Sequence, residues 1–111
     1  IVEEGNPSFL TIVGSHAALT ELTSHGIDAI GEQVVFLAST IARELRERGW
    51  NLRCATQETG LVCAVPPSSV LRMAARLDSK AIDIAIRAGA IRFSPHAYQT
   101  IDDLQPLFDV I

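Results

Sequence analysis

Between Ile27 and Leu45 the apolar residues Ile27, Ile30, Val34, Leu37, Ile41 and Leu45 recur in steps of three or four. That spacing lines one stripe of a helix and predicts a long helix from Ile27 to Arg48. Glu32, Arg43 and Glu47 fall on its other faces, and Gly49 stops it. An earlier helix follows the turn Gly5-Asn6-Pro7-Ser8, with Asn6 or Ser8 as N-cap and Pro7 tolerated in the first turn. It is expected to run to about Ser24 and to end at Gly26. After Gly49 the period changes to alternation. Asn51–Thr56 and Leu61–Val65 are expected as two strands joined by Gln57-Glu58-Thr59-Gly60. Centring the hairpin on that loop sets Leu52 opposite Val65, Cys54 opposite Cys63 and Thr56 opposite Leu61, all on one face.

Pro66-Pro67 breaks the second strand, and Ser68 or Ser69 can cap a third helix through about Ser79, carrying Val70, Leu71, Ala74 and Leu77. In the next segment Ile82, Ile84 and Ile86 alternate with Asp83, Ala85 and Arg87, and Ala88-Gly89 forms a tight turn. Pairing about that turn places Ile86 opposite Ile91 and Ile84 opposite Phe93 on the core face, with Ala85 opposite Arg92 on the other. A last helix starts within Thr100–Asp103, capped by Asp102 or Asp103, with Pro106 in its first turn. The order is helix, helix, strand, strand, helix, strand, strand, helix. It predicts an α+β domain: a small antiparallel or mixed sheet of about four strands with helices packed on one face.

The chain's 111 residues suit one domain, 1–111, large enough for a core without disulfide or metal staples. A net charge of -4 argues against nucleic acid as the main partner, because phosphate binding needs a basic surface. The longest apolar stretch, near Gly5–Thr20, carries Asn6, Ser8, Thr11, Ser15 and His16, so no membrane span is expected. Without a visible signal peptide, a cytoplasmic location is the expectation. The chain opens on Ile1 and closes on Val110-Ile111 inside a helical pattern, so both ends are expected to be cuts in a larger protein.

Candidate chemistry concentrates at Arg92, a charge in an otherwise apolar strand, with Asp83 and Arg87 as same-face diagonal neighbours. One reading is a surface ion pair of Asp83 with an arginine, contributing about 0–1 kcal/mol. The other is an anion site, since two guanidinium groups can clamp a carboxylate or phosphate bidentately. His96 follows Ser94-Pro95 where the strand leaves the sheet, either as a site residue or hydrogen-bonded to nearby loop backbone. His16, His25 and His96 lack metal-ligand spacing, and Cys54 and Cys63 form no Cys-x-x-Cys; no metal is expected, and the cysteines are expected as small buried hydrophobes. Lys80, the one lysine, follows Asp78-Ser79 at a helix end and is expected in solvent, not as a Schiff-base residue. Ser94 lacks a nucleophile-elbow setting, and no glycine-rich phosphate loop occurs.

The run Arg92-Phe93-Ser94-Pro95-His96-Ala97-Tyr98-Gln99-Thr100, followed by Asp102 and Asp103, resembles the C-terminal end of class V aminotransferases. These are pyridoxal-phosphate enzymes related to cysteine desulfurases, kynureninases and isopenicillin N epimerase. The family run is Arg, a hydrophobic residue, Ser-Pro-His, an aromatic, Tyr-Asn-Thr; here Ala97 and Gln99 depart from it. The opening "EEGNPSFLTIVGSHAALTELTSHGIDAI" is similar to the family stretch that begins Glu-x-Gly-Thr-Pro and leads into a Gly-Ile-x-x-Ile helix start. "RERGWNLRC" and "ETGLVCAV" fall where the family has its first small-domain strands, so the resemblance covers nearly the whole chain.

The resemblance implies a small domain that packs on a large domain of the same polypeptide, absent here, in a homodimer acting on an amino-acid substrate. Arg92 or Arg87 would bind the substrate's α-carboxylate. Asn6, at the place of the family threonine, would reach the pyridoxal phosphate of the neighbouring subunit, and His96 and Tyr98 would shape the domain near the site. The Schiff-base lysine and the aspartate facing the pyridine nitrogen belong to the large domain, so this chain alone is expected to have no catalytic residue and no activity. The alternative is a stand-alone binding or assembly module that keeps the small-domain fold.

Overall fold

In the computed structural model, which describes Gly5, residues 8–53 and residues 59–111, four helices and a four-stranded sheet follow in the expected order. Asn6, Cys54, Thr56 and the first half of the predicted hairpin loop lie outside the described residues. The elements are α1 (Phe9–His25), α2 (Ile27–Glu47), β1 (Asn51–Leu52), β2 (Val62–Val65), α3 (Val70–Asp78), β3 (Ala85–Arg87), β4 (Ala90–Phe93) and α4 (Gln105–Val110). A short 3₁₀ turn, Asp102–Leu104, leads into α4. The fold is α+β. No helix among the described residues is long and apolar enough to cross a membrane.

The chain divides into two units, Ile1–Ile30 and Gly31–Ile111. The first is built around α1, which begins after Ser8 and ends at Gly26, whose φ of 84° gives it the left-handed turn that glycine adopts freely. No residue of α1 is buried: Phe9, Leu10, Ile12, Val13, Leu19 and Leu22 are all exposed. Its apolar residues occupy every side of the helix instead of one stripe.

The second unit holds the core. Leu37, Ala38, Ile41 and Leu45 of α2 pack with Met73 and Leu77 of α3, Leu107 and Val110 of α4, and the inward side chains Val62, Ala64, Ile91 and Phe93 of the sheet. The α2 stripe is buried at Leu37, Ile41 and Leu45, but Ile27 is exposed. Past the helix end, Gly49 takes a positive φ of 78°. Its turn lets the Trp50 amide donate to the Leu45 carbonyl at 3.0 Å and carries the indole into the core, edge-to-face on Phe93.

The sheet is antiparallel in the order β1-β2-β4-β3. The β3–β4 hairpin has the predicted register, Ala85 opposite Arg92 and Ile86 opposite Ile91. Its turn uses two left-handed residues, Ala88 (φ 48°) and Gly89 (φ 73°), whose twist matches that of the strands.

The first hairpin differs from expectation by one residue: Leu52 lies opposite Ala64, not Val65, and Asn51 opposite Val65. A one-residue slip moves a strand's side chains to the other face. Thus Val62 and Ala64 fill the core, while Cys63 is half-buried on the outer face, not sealed inside. The β2 sequence is apolar at both parities, so alternation could not choose between them, and Leu52 points inward in either register.

Two smaller corrections concern the helices. In α3 the buried residues are Met73 and Leu77, and Leu71 is exposed. The last helical segment is capped by Thr100 rather than Asp102 or Asp103. The Asp103 carboxylate reaches back to accept from the Thr100 amide at 2.7 Å and its hydroxyl at 2.8 Å, as in a capping box.

Candidate anion-binding face

In a pleated strand, successive side chains point to opposite faces. With Ile91 and Phe93 turned into the core, Arg92 must stand on the outer face of β4. Because β4 lies between β2 and β3, Arg92 is near the middle of that face, with Cys63 opposite it on one side and Ala85 on the other. Pairing continues one residue beyond β1, where the Arg53 amide donates to the Cys63 carbonyl at 2.8 Å. One row across the outer face is therefore Arg53, Cys63, Arg92, Ala85. The adjacent row is Asn51, Val65, Ala90, Arg87.

The two predicted arginines differ in surroundings. Arg87 is exposed on the edge strand, and its Nη1 donates to the Ile86 carbonyl at 3.3 Å. Arg92 is half-buried, and its Nε is shut from solvent without a hydrogen-bond partner. A buried donor without an acceptor costs about 1–3 kcal/mol. Asp83 is exposed and pairs with neither arginine; among the described residues the ion pairs are His25–Glu21, Arg43–Glu44 and Arg48–Glu44. Of the two readings of Arg92 from the sequence, the surface ion pair does not form. What remains is a guanidinium with an unmet donor on a face that also carries Arg53 and Arg87, in a protein of net charge -4.

Sequence reasoning missed Arg53. The slipped register placed Cys54, not Arg53, across from Cys63; the correct register would have put Arg53 in line with Arg92. The loop after β4 is held more firmly than its composition suggests. The His96 amide donates to Gln99 Oε1 at 2.7 Å, the Gln99 amide returns a bond to the His96 carbonyl at 3.0 Å, and Gln33 Nε2 on α2 donates to the Gln99 carbonyl at 2.9 Å. His96 thus meets the loop through its backbone, while its exposed ring stacks on Tyr98 with centroids 4.7 Å apart. The Asp103 carboxyl is held below the usual carboxylate range, first by the bond from the Thr100 backbone and then by that from its side chain.

The described part of the face brings together three guanidinium groups and the free thiol of Cys63. Lys80 is exposed past the end of α3. Asn6, the residue that the resemblance places near a cofactor phosphate, lies outside the described residues.

The chain is 27% identical over 111 residues to an uncharacterized aminotransferase, YcbU, of Bacillus subtilis (strain 168). The match takes in 98% of this chain and 30% of that protein, so the chain spans less than a third of the relative's length. The similarity is to an aminotransferase, at a distance. No family model matches the chain, and no solved structure does.

Proposed function

We propose that this chain is the small domain of a class V aminotransferase-like, pyridoxal-phosphate-dependent enzyme, and that it binds the α-carboxylate of an amino-acid substrate. The observation that carries this reading is the unsatisfied, solvent-shut Nε of Arg92. A carboxylate is the acceptor that a guanidinium engages with two parallel bonds, and it would meet that donor, with the half-buried side chain turned outward, while neutralising the charge. Arg92 is the primary ligand, and Arg87, diagonal to it on the same face, adds positive potential at the rim. The similarity to an aminotransferase over nearly the whole chain supports the enzyme class.

Pyridoxal phosphate, when bound to the rest of such an enzyme, supplies the electron sink for bond cleavage at the substrate's α-carbon. This chain's share is positioning. Arg92 fixes one end of the substrate against a rigid sheet, which converts an encounter into a defined approach. The Gln33–Gln99–His96 bonds hold the loop that follows β4, which steadies the backbone on the C-terminal side of Arg92. In the complete enzyme the remaining partners would be a large domain in the same polypeptide and a second subunit, in the cytoplasm.

The test is Arg92→Ala in the longer polypeptide. Amino-acid affinity is expected to fall at least tenfold, since a charge-assisted bond contributes about 1.5–3 kcal/mol, with cofactor retention unchanged. Equal loss of amino acid and cofactor would show that Arg92 supports the fold and not the substrate.

A further inference from the structure

We infer that the outer face of the sheet is laid out for a ligand with two negative charges, a dicarboxylic amino acid, held between Arg92 and Arg53. This inference rests on the assignment of Arg92 to the substrate carboxylate and adds the class of substrate.

Three features carry it. First, Arg53, one residue past β1, and Arg92 on β4 stand in one row on either side of Cys63 on β2. Two strand spacings put their Cα atoms about 10 Å apart. Long, flexible arginine side chains can lean inward from that separation to grip both ends of a short diacid.

Second, the surface between and beside them is low. Cys63 and Ala85 are small and half-buried, and half-buried Val65 completes the floor. A chain of methylene groups can lie there without displacing a large side chain.

Third, the second guanidinium is exposed. Arg53 enters no ion pair among the described residues. Arg43 and Arg48, by contrast, are each paired with Glu44. A monocarboxylate would satisfy Arg92 and leave Arg53 idle; a second carboxylate engages both.

The test follows the arginine Nε–H signals of the 111-residue chain by NMR during titration with glutamate and succinate, against alanine and acetate. The diacids are expected to shift the Arg92 signal and to bind at least tenfold more tightly than the monoacids, with a preference that shrinks at high salt. Arg53→Gln is expected to bring diacid affinity down to the monoacid level and to leave monoacids unchanged. Arg53→Lys, which keeps the charge at an exposed position, keeps most of the preference, and Arg43→Gln changes neither. Equal affinity for diacids and monoacids, or indifference to Arg53→Gln, overturns the inference and leaves the assignment of Arg92 intact. An Arg92 Nε–H signal that no carboxylate perturbs overturns that assignment, and this inference with it.

Discussion

Replacing Arg92 by methionine is expected to stabilise the chain. Arg92 sits among apolar neighbours in the central strand β4, with its Nε buried and unpaired. A buried donor that has lost water and gained no acceptor costs about 1–3 kcal/mol. Methionine keeps the unbranched stem and removes the donor. Because the guanidinium is only half-buried, its charge keeps part of its hydration, so the lower end of that range applies and the net gain is about 1 kcal/mol. For a unit of this size that raises Tm by roughly 4–8 °C. In urea it moves the midpoint up by about 0.3–1 M, given the slopes usual for small proteins. Trp50 is the reporter. It is the single tryptophan, 4% exposed, and its ring lies 6.0 Å from that of Phe93, the residue next to Arg92. A carboxylate that binds Arg92 should raise the midpoint of the wild type and not of the variant, since a ligand stabilises only the state that holds it. A lowered midpoint for Arg92→Met would refute the reasoning: the guanidinium would then be holding the sheet together, and its unmet donor would be no sign of a ligand.

Two further outcomes test the fold and its pH response. Ile91 is fully buried, with Ala64 and Ile86 as cross-strand partners, so Ile91→Ala should cost about 3–5 kcal/mol, in the upper part of the usual range because the short Ala64 side chain cannot fill the space. Ile91→Val should cost about 0.5–1.5 kcal/mol, and an alanine variant within about 1 kcal/mol of wild type by urea titration would contradict the register of β4. Asp103 has a lowered pKa in the folded chain, so its contribution is present above the pKa of the unfolded chain, near pH 4, and is lost as pH falls through the folded value. Thermal unfolding scanned across that acid range should show a steeper loss for the wild type than for Asp103→Asn; equal slopes would mean that the Thr100 cap does not persist in solution.

The helices and the second hairpin were legible because each is specified by short-range chemistry. The 3–4 spacing of Leu37, Ile41 and Leu45 has no competing interpretation, and Ala88-Gly89 leaves the flanking strands one compatible register. The first hairpin was not legible in register. Val62, Cys63, Ala64 and Val65 are all apolar, and what turns Val62 and Ala64 inward is the packing of β2 against β4, some thirty positions away. That long-range pairing also decided the site. Arg87 and Arg92 could be placed on one face from their own hairpin, but Arg53 joins them only once β2 is correctly set between β1 and β4. The unmet donor of Arg92 could not be read from sequence at all, since it is the absence of an acceptor in three dimensions. The likeness of the Arg92–Thr100 run to class V aminotransferases pointed to a carboxylate role that composition and spacing left open.

The order β1-β2-β4-β3 divides the sheet into two locally closed hairpins that meet along a single seam, β2 against β4. Arg53 belongs to one hairpin, and Arg87 and Arg92 to the other. Each hairpin can zip up by itself within microseconds, whereas the seam must wait for α3 to fold back between them. Any anion gripped from both sides lies across that join, so its occupancy would act as a clasp, slowing the parting of the two hairpins.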